Sequence, residues 1–430
     1  MTIDASILND RESCLAADRA DELASFRHEF VLPEGVIYLD GNSLGALPKA
    51  APERARQVVE EEWGKDLIGS WNKNHWYSLP QRIGNKISQL IGGIDGACVA
   101  TDTTSINIFK SLAAALRIQQ QDAPERRVIV SERENFPTNL YMVEGLIKFL
   151  GEVEGSRYEL QLIEDERSLT DMLANRGNEV AAVLLTHVNY RTGQMWHMDR
   201  VTREVHDAGA LIVWDLCHSA GAVPLNLSAS EADFAVGCTY KYLNGGPGSP
   251  AFVWAAQRHL DRVEQPLTGW FGHRRPFDMA GSFEPGEGAN RFLVGTQPIL
   301  SMATMEVGID IALRVDQGLL RQKSLALTSL FIRLVEQQLA GHPLKLVTPR
   351  EPDKRGSHVS FRHPHGFAVM NALISRGVIG DYREPEVLRF GFAPLYNTFT
   401  EVWDAVQQLR DVLENETWRE AQFAQRGAVT

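Results

Sequence analysis

Lys241 stands in the stretch GCTYKYLNGGPGS (237–249), between two tyrosines and just ahead of a glycine-rich turn. A strongly hydrated ammonium at the end of an apolar run needs a compensating partner or a covalent use. The bland explanation is a lysine that turns its head to solvent. The sharper one is an amine placed to form a Schiff base with an aldehyde cofactor. Two other apolar runs also end in groups that could do chemistry. ALIVWDL closes on Asp215, with His218 shortly after it, and VAAVLLTHV delivers Thr186 and His187, with Asn189 just beyond. A lone His or Asp at such a place is usually a satisfied turn residue. Polar, ionisable groups converging from three apolar runs carry more weight, because open α/β sheets bind ligands beyond the carboxyl ends of their strands.

The elements that must position these groups follow from periodicity. Runs 180–188, 210–216 and 233–238 are apolar throughout rather than alternating, as expected of parallel strands buried on both faces. MDRVTREVHDAG lies between the first two as a crossover helix, which is βαβ grammar. Val36–Leu39 and Val128–Val130 are further strand candidates, and 49–63 and 81–91 have helical spacing. TNLYMVEGLIKFL reads as a helix entered through Pro137 with Thr138 as its cap. After AFVWAAQ, residues 265–296 are glycine- and aromatic-rich and weakly periodic, and an irregular stretch of that length usually serves a site or an interface. Two helical patterns follow, QPILSMATMEVGIDIALRV and SLALTSLFIRLVEQQL. From about Lys345 the strands KLVTP, HVSFR and VLRFGF flank FAVMNALISRG, and EVWDAVQQLRDVL closes the chain. The expected fold is α/β, a mainly parallel sheet covered by helices, with a smaller α+β C-terminal domain. The division is 1–48 as a segment joining the small domain and the substrate site, 49–315 as the large domain and 316–430 as the small one.

A lysine and a carboxylate on neighbouring strand ends are what pyridoxal phosphate requires. The lysine holds the aldehyde, and the carboxylate keeps the pyridine nitrogen protonated so that the ring draws electrons. The phosphate needs an anion cup, and TDTTSIN (101–107) opens a helix whose N-terminus favours an anion. Alone, that hydroxyl cluster would be no more than a cap; beside Asp215 and Lys241 it becomes a candidate phosphate site.

Other chemistries fit less well. GGPGS is not followed by Lys and Ser/Thr, so it is no Walker loop, and no GxGxxG opens a helix after a strand. There is no HExxH, no GxSxG and no clustered set of metal ligands among the twelve histidines and four cysteines. A formal net charge of −12 argues against nucleic-acid or anionic-membrane partners. Cys14, Cys98, Cys217 and Cys238 show no pairing motif, the N-terminus lacks a signal-peptide pattern and no run reaches membrane length. A cytoplasmic protein is expected.

The motifs YLDGNSLG (38–45), TDTTSIN, NFPT (135–138), WDLCHSAG (214–221), GCTYKYLNGGPGS, GWFGH (269–273), GTQPI (295–299) and LRFGFAPLYNTF (388–399) resemble the kynureninase family of bacterial type. The matches run in order along nearly the whole chain. The resemblance implies the fold of the aspartate-aminotransferase class (fold type I) and pyridoxal 5′-phosphate as cofactor. It implies hydrolysis of L-kynurenine to anthranilate and L-alanine, with 3-hydroxykynurenine as a further candidate, and a homodimer sharing its active sites. Carried over by position, Lys241 is the Schiff-base lysine and the general base, Asp215 the pyridine-nitrogen partner and Tyr240 a proton relay. Phe136 stacks on the cofactor ring, with Pro137, Thr138 and Asn139 beside it. Thr104, Ser105 and Tyr240 contact the phosphate or cofactor, Thr186 and His218 line it, and Trp270 and Thr296 arrive from the second subunit. Arg389 holds the substrate carboxylate, with Ser43 and Trp71 bordering the substrate.

Each assignment has a structural competitor: packing for Trp71 and Trp76, an ion pair for Arg389, a hydrophobic staple for Phe136. His187, His197 and His273 have no assigned role. One position departs from the family, which usually has Asp where this chain has Asn139; the amide keeps the shape and removes a charge, so binding should survive and the tuning of the cofactor should change. The alternatives are another enzyme of the same fold, an aminotransferase or a cysteine desulfurase-like lyase, and a cofactor-binding protein without turnover. A desulfurase needs a nucleophilic cysteine in the C-terminal part, and none follows Cys238.

Overall fold

Strands that are apolar at every position have no solvent face, so they must lie inside a sheet covered on both sides. The computed structural model, which describes residues 4–155 and 158–425, has such a sheet at its centre. Its strands are β1 (Cys98–Ala100), β2 (Val128–Glu132), β3 (Glu159–Ile163), β4 (Val180–Thr186), β5 (Leu211–Asp215), β6 (Phe234–Gly237) and β7 (Phe252–Ala255). They lie in the order β1-β7-β6-β5-β4-β2-β3. Only β7 runs against its neighbours β1 and β6; the pairings among β2 to β6 are parallel. Alternate residues of β5 feed opposite faces: Ile212 and Trp214 join one apolar cluster, Val213 the other.

The covering helices include α1 (Leu79–Leu90), α2 (Thr104–Asp122), α3 (Pro137–Glu154), α4 (Met198–Asp207) and α5 (Ile299–Leu313). In α4 the buried residues Met198, Val201, Thr202 and Val205 recur at the helical spacing, which explains the crossover helix read from the sequence. The helix expected over 49–63 is α-helical only over Ala51–Gln57 and continues as a wider π-type turn over Val58–Trp63. Thr138 does not cap α3. Phe136 occupies the N-cap without a side-chain bond, Pro137 opens the helix and the Thr138 hydroxyl meets Ser105 Oγ at 3.2 Å instead. Residues 265–296 hold only short 3₁₀ turns, at Trp270–Gly272, Pro276–Asp278 and Gly288–Phe292.

Beyond α6 (Gln317–Gln338) a second sheet forms from β8 (Lys345–Leu346), β9 (His358–Arg362), β10 (Asp381–Arg383) and β11 (Val387–Gly391), antiparallel in the order β8-β9-β11-β10. Together with α6, α7 (Gly366–Ser375) and α8 (Phe399–Glu414) it encloses a separate core that includes Phe331, Phe361, Phe390 and Leu409. Leu8, Cys14 and Ala17 from the start of the chain pack into that same core. The strand expected at 36–39 is two residues long, Ile37–Tyr38, and pairs in parallel with Val378–Ile379. The chain then crosses back: Gly391 N–H donates to Leu39 O, and Gly45 N–H donates to Tyr240 O at 2.7 Å. The N-terminal segment is thus a strap between the second sheet and the loop carrying Lys241.

Candidate active site

β6 ends at Gly237, and the next residues are fixed by hydrogen bonds before Lys241 is reached. The Thr239 hydroxyl donates to Pro250 O at 2.6 Å and meets Ser249 Oγ at 2.7 Å, while its carbonyl accepts from Gly245 N–H at 2.8 Å. Gly246 and Gly248 have φ of 89° and 67°, left-handed values that let the chain fold back without strain. Helix α5 presses on this loop at Gly308, where a Cβ would collide with the carbonyls of Leu243 and Asn244. From above, Asn244 Nδ2 donates to Ala46 O at 3.1 Å, adding to the bond from Gly45. Lys241 therefore sits on a rigid turn. Its one side-chain hydrogen bond among the described residues is between Nζ and His218 Nε2, at 2.9 Å. Its Nζ also lies 5.9 Å from the centre of the Tyr240 ring.

Asp215 closes the neighbouring strand β5 and is buried. Its Oδ1 accepts from the Cys217 backbone N–H at 2.8 Å and its Oδ2 from Asn139 Nδ2 at 2.9 Å. Asn139 is buried too, and its amide nitrogen also stands 3.0 Å from Asn135 Oδ1 and 3.2 Å from Thr186 Oγ1. Thr186 Oγ1 donates to Asn135 Oδ1 at 2.5 Å. The carboxylate thus lies at the end of a polar chain in an otherwise apolar sheet. The Asn139 Oδ1 atom is buried with no hydrogen-bond partner.

One pocket at the carboxyl edge of the sheet is lined by Lys241, Tyr240, Asp215, His218, Thr186, Phe136, Thr138, Asn139, Thr104 and Ser105. Ten of the sequence-derived positions therefore meet there. Thr103 accepts from Ile106 N–H with its hydroxyl and from Asn107 N–H with its carbonyl, so the N–H groups of Thr104 and Ser105 remain at the mouth of α2. The Phe136 ring is 46% exposed and touches Tyr190 edge-on at 5.1 Å. The ring thus lines the pocket and is half-open to it. The neighbouring Cys238 sulfur, and then burial, push the Tyr240 phenol well above its ordinary range, so it stays a proton donor. Burial and the Lys241 charge hold His218 well below its ordinary value, so its imidazole is neutral.

The remaining positions lie elsewhere. Pro137 starts α3 behind Phe136 and does not line the pocket. Arg389 is 1% exposed and bonded by Nε to Asp381 Oδ1 at 2.8 Å, by Nη2 to Asp381 Oδ2 and to Ser43 Oγ at 2.7 Å, and by Nη1 to Tyr190 O at 2.5 Å. Burial works against both charges, yet the pair holds Arg389 above its ordinary value and, with Arg383, Asp381 below its own. Trp71 packs edge-on against Trp76 at 6.0 Å and near Phe271 at 6.2 Å. Trp270 is 40% exposed among Phe271 and Phe277, and neither it nor Thr296 reaches this pocket within one chain. Sequence reasoning did not single out Tyr190, Asp381 or Ser249. Asp381 carried the best signal, since a hairpin over DYREPEVLRF sets it opposite Arg389.

The donor set fits pyridoxal phosphate: a lysine without a carboxylate partner, a buried carboxylate one strand away, a half-open aromatic ring, and hydroxyls with free N–H groups at a helix N-terminus. The fold agrees. A cysteine desulfurase from Thermococcus onnurineus superposes with a TM-score of 0.75 at 20% identity, covering 91% of this chain and 98% of that one. One from Escherichia coli does so with 0.75 at 19%, covering 92% and 99%. A cystine lyase-type protein whose lysine variant was solved with glycine covalently linked to pyridoxal phosphate superposes with 0.74 at 18%, covering 90% and 99%. These likenesses establish the fold alone. In sequence, the profile of the kynureninase C-terminal domain matches residues 320–409. A kynureninase from Burkholderia pseudomallei is 59% identical over 423 residues, 98% of this chain and all of the relative, and one from Pseudomonas fluorescens is 57% identical over the same span. Identity at that level from one end of both chains to the other leaves one assignment: the chain belongs to the kynureninase family.

Proposed function

We propose that the chain hydrolyses L-kynurenine to anthranilate and L-alanine with pyridoxal phosphate. The observation that carries this reading is the meeting of Lys241 and Asp215 in one pocket, in a chain 59% identical to a kynureninase over nearly its whole length. Lys241 would hold the cofactor aldehyde and Asp215 its ring nitrogen. Phe136 would lie against the ring, and Thr104, Ser105 and Thr138 would surround the phosphate. When bound, pyridoxal phosphate supplies an electron sink for charge developing on the substrate carbons.

The chain's own groups do the rest. Lys241 Nζ takes the proton from the substrate α-carbon. Tyr240, kept protonated by its surroundings, provides the proton that the β-carbon gains when the Cβ–Cγ bond breaks. Water supplies the hydroxyl that leaves on anthranilate. Arg389 holds the α-carboxylate. Its Nε edge is committed to Asp381, so the substrate takes the Nη1 end, where the Tyr190 carbonyl now stands. Ser43 braces that guanidinium.

The reading includes a homodimer, in which Trp270 and Thr296 would complete the pocket of the other subunit; the exposure of Trp270, Phe277 and Met279 on the irregular stretch supports it. A cytoplasmic location rests on four unpaired, buried cysteines. No helix among the described residues is long and apolar enough to cross a membrane. The test is anthranilate fluorescence after L-kynurenine is mixed with the cofactor-loaded protein and no oxo acid. Anthranilate with stoichiometric alanine is the expected outcome; product that forms only when an oxo acid is supplied would assign an aminotransferase instead.

A further inference from the structure

With Lys241 free as an ammonium, which offers donors only, His218 accepts at Nε2. A neutral imidazole with its lone pair on Nε2 carries its proton on Nδ1. That Nδ1 atom is buried with no hydrogen-bond partner in the chain. An unmet buried donor costs about 1–3 kcal/mol, so a partner is called for. The next ring is His358, at the start of β9 in the second sheet, 5.3 Å away between ring centres. His358 is 0% exposed; the Asn189 backbone carbonyl stands against one of its ring nitrogens, and the other is buried without a partner. His218 Nδ1 and one His358 nitrogen are therefore left unmet, with no direct bond between the rings. The rings pack against each other, so a bridging water would sit beside them within reach of one nitrogen of each, and buried waters typically satisfy two to four such groups.

We propose that a buried water bridges His218 Nδ1 to a ring nitrogen of His358, which makes His358 a positioning residue for Lys241. The water accepts from Nδ1–H and donates to the lone pair of His358, so His218 is held with Nε2 as the acceptor toward the lysine. The link joins the second sheet to the lysine pocket through a group that touches neither cofactor nor substrate. Lys241, Arg389, Arg383 and Asp381 are the charges that act on the two imidazoles. Burial keeps His358 neutral, its value pushed down to about 3, so it takes part as a neutral relay and not as a cation.

The proposal rests on Lys241 as the cofactor lysine. It is tested with His358→Phe and His358→Gln in the cofactor-loaded protein, reading the pH titration of the cofactor's visible absorbance beside kcat and KM for L-kynurenine. The phenylalanine variant should shift the titration midpoint by at least half a pH unit and lower kcat several-fold with KM little changed. The glutamine variant, whose amide can meet the water, should restore both. A midpoint and kcat unchanged in His358→Phe overturn the link. If that variant does not fold, a crystal structure of the wild-type protein decides: ordered water within hydrogen-bond reach of His218 Nδ1 and a His358 nitrogen supports the proposal, and its absence there overturns it. Lys241→Ala serves as the control: loss of the visible band confirms the lysine, while its persistence would unseat the parent reading and not the bridge itself.

Discussion

The amide at position 139 leaves Asp215 as the one carboxylate lining the pocket among the described residues. With Asp there, two carboxyl oxygens would stand where Asn139 Nδ2 and Asp215 Oδ2 are now 2.9 Å apart, and they could not both ionise freely. Asn139→Asp is therefore expected to raise the pH midpoint of the cofactor's visible absorbance by about one unit and to change kcat/KM less than about tenfold. An unshifted midpoint would show that the amide does not tune the site. Lys241→Ala is the larger change. Loss of the pocket's lysine amine should lower kcat by at least about 10³-fold. Anthranilate formation at near-normal rate would remove Lys241 from its role. Asp215 and Lys241 were legible in the sequence because each closes a run whose burial on both faces is written in continuous apolar residues. The partner of Asn139 was not legible, since nothing in NFPTN says which strand end its amide will meet.

At the scale of elements, β2 ends in a carboxyl that the sheet does not welcome. Burial pushes Glu132 up to about 7, although Asn189 Nδ2 and Trp196 Nε1 donate to it at 3.0 and 3.3 Å. The folded value lies above the unfolded one, so the folded state holds the extra proton. The stabilising contribution is full below the unfolded value and is lost as pH rises through about 7. Asp40, pushed up to about 7 by burial and by Asp381, adds to the same trend. Glu132→Gln should thus unfold at a higher temperature than wild type at pH 8, by up to about 3 kcal/mol in stability. The gain should vanish near pH 5, a pattern that calorimetry across that range would expose or exclude. Elements with a clear period were readable: α4 from its buried face, β4 to β6 from their apolar runs. The direction of β7 was not, because antiparallel and parallel strands share the same residues and differ only in how the chain returns. Nor was β3, whose half-buried edge position leaves a mixed pattern. The Asp381–Arg389 pair depends on a hairpin register that composition does not encode.

For the molecule as a whole, the proposed dimer makes a quantitative statement. If Trp270 of the partner subunit completes each site, Lys241→Ala and Trp270→Ala proteins, both impaired alone, should recover about a quarter of wild-type activity once subunits exchange. Half of the dimers would then be mixed, each with one intact site. No recovery, from protein shown by mass to have exchanged, would mean that each chain builds its site unaided. The domain division proposed from the sequence, 49–315 and 316–430, sets 1–48 apart as a segment joining the small domain and the substrate site, and the strap lies within that segment. Residues 37–45 pair with Val378–Ile379, are bonded to the second sheet at Gly391 and to Arg389 through Ser43, and reach the lysine loop through Gly45. With Lys241 and Arg389 in their proposed roles, one short length of backbone would act as a ruler between the reacting amine and the carboxylate anchor. An amino acid whose carboxylate stands one methylene farther from its amine falls off that scale, however well its aromatic end fits. Changes to the aryl ring fall beyond the end of the ruler, so substrate choice among ring-substituted relatives must be made by other walls of the pocket.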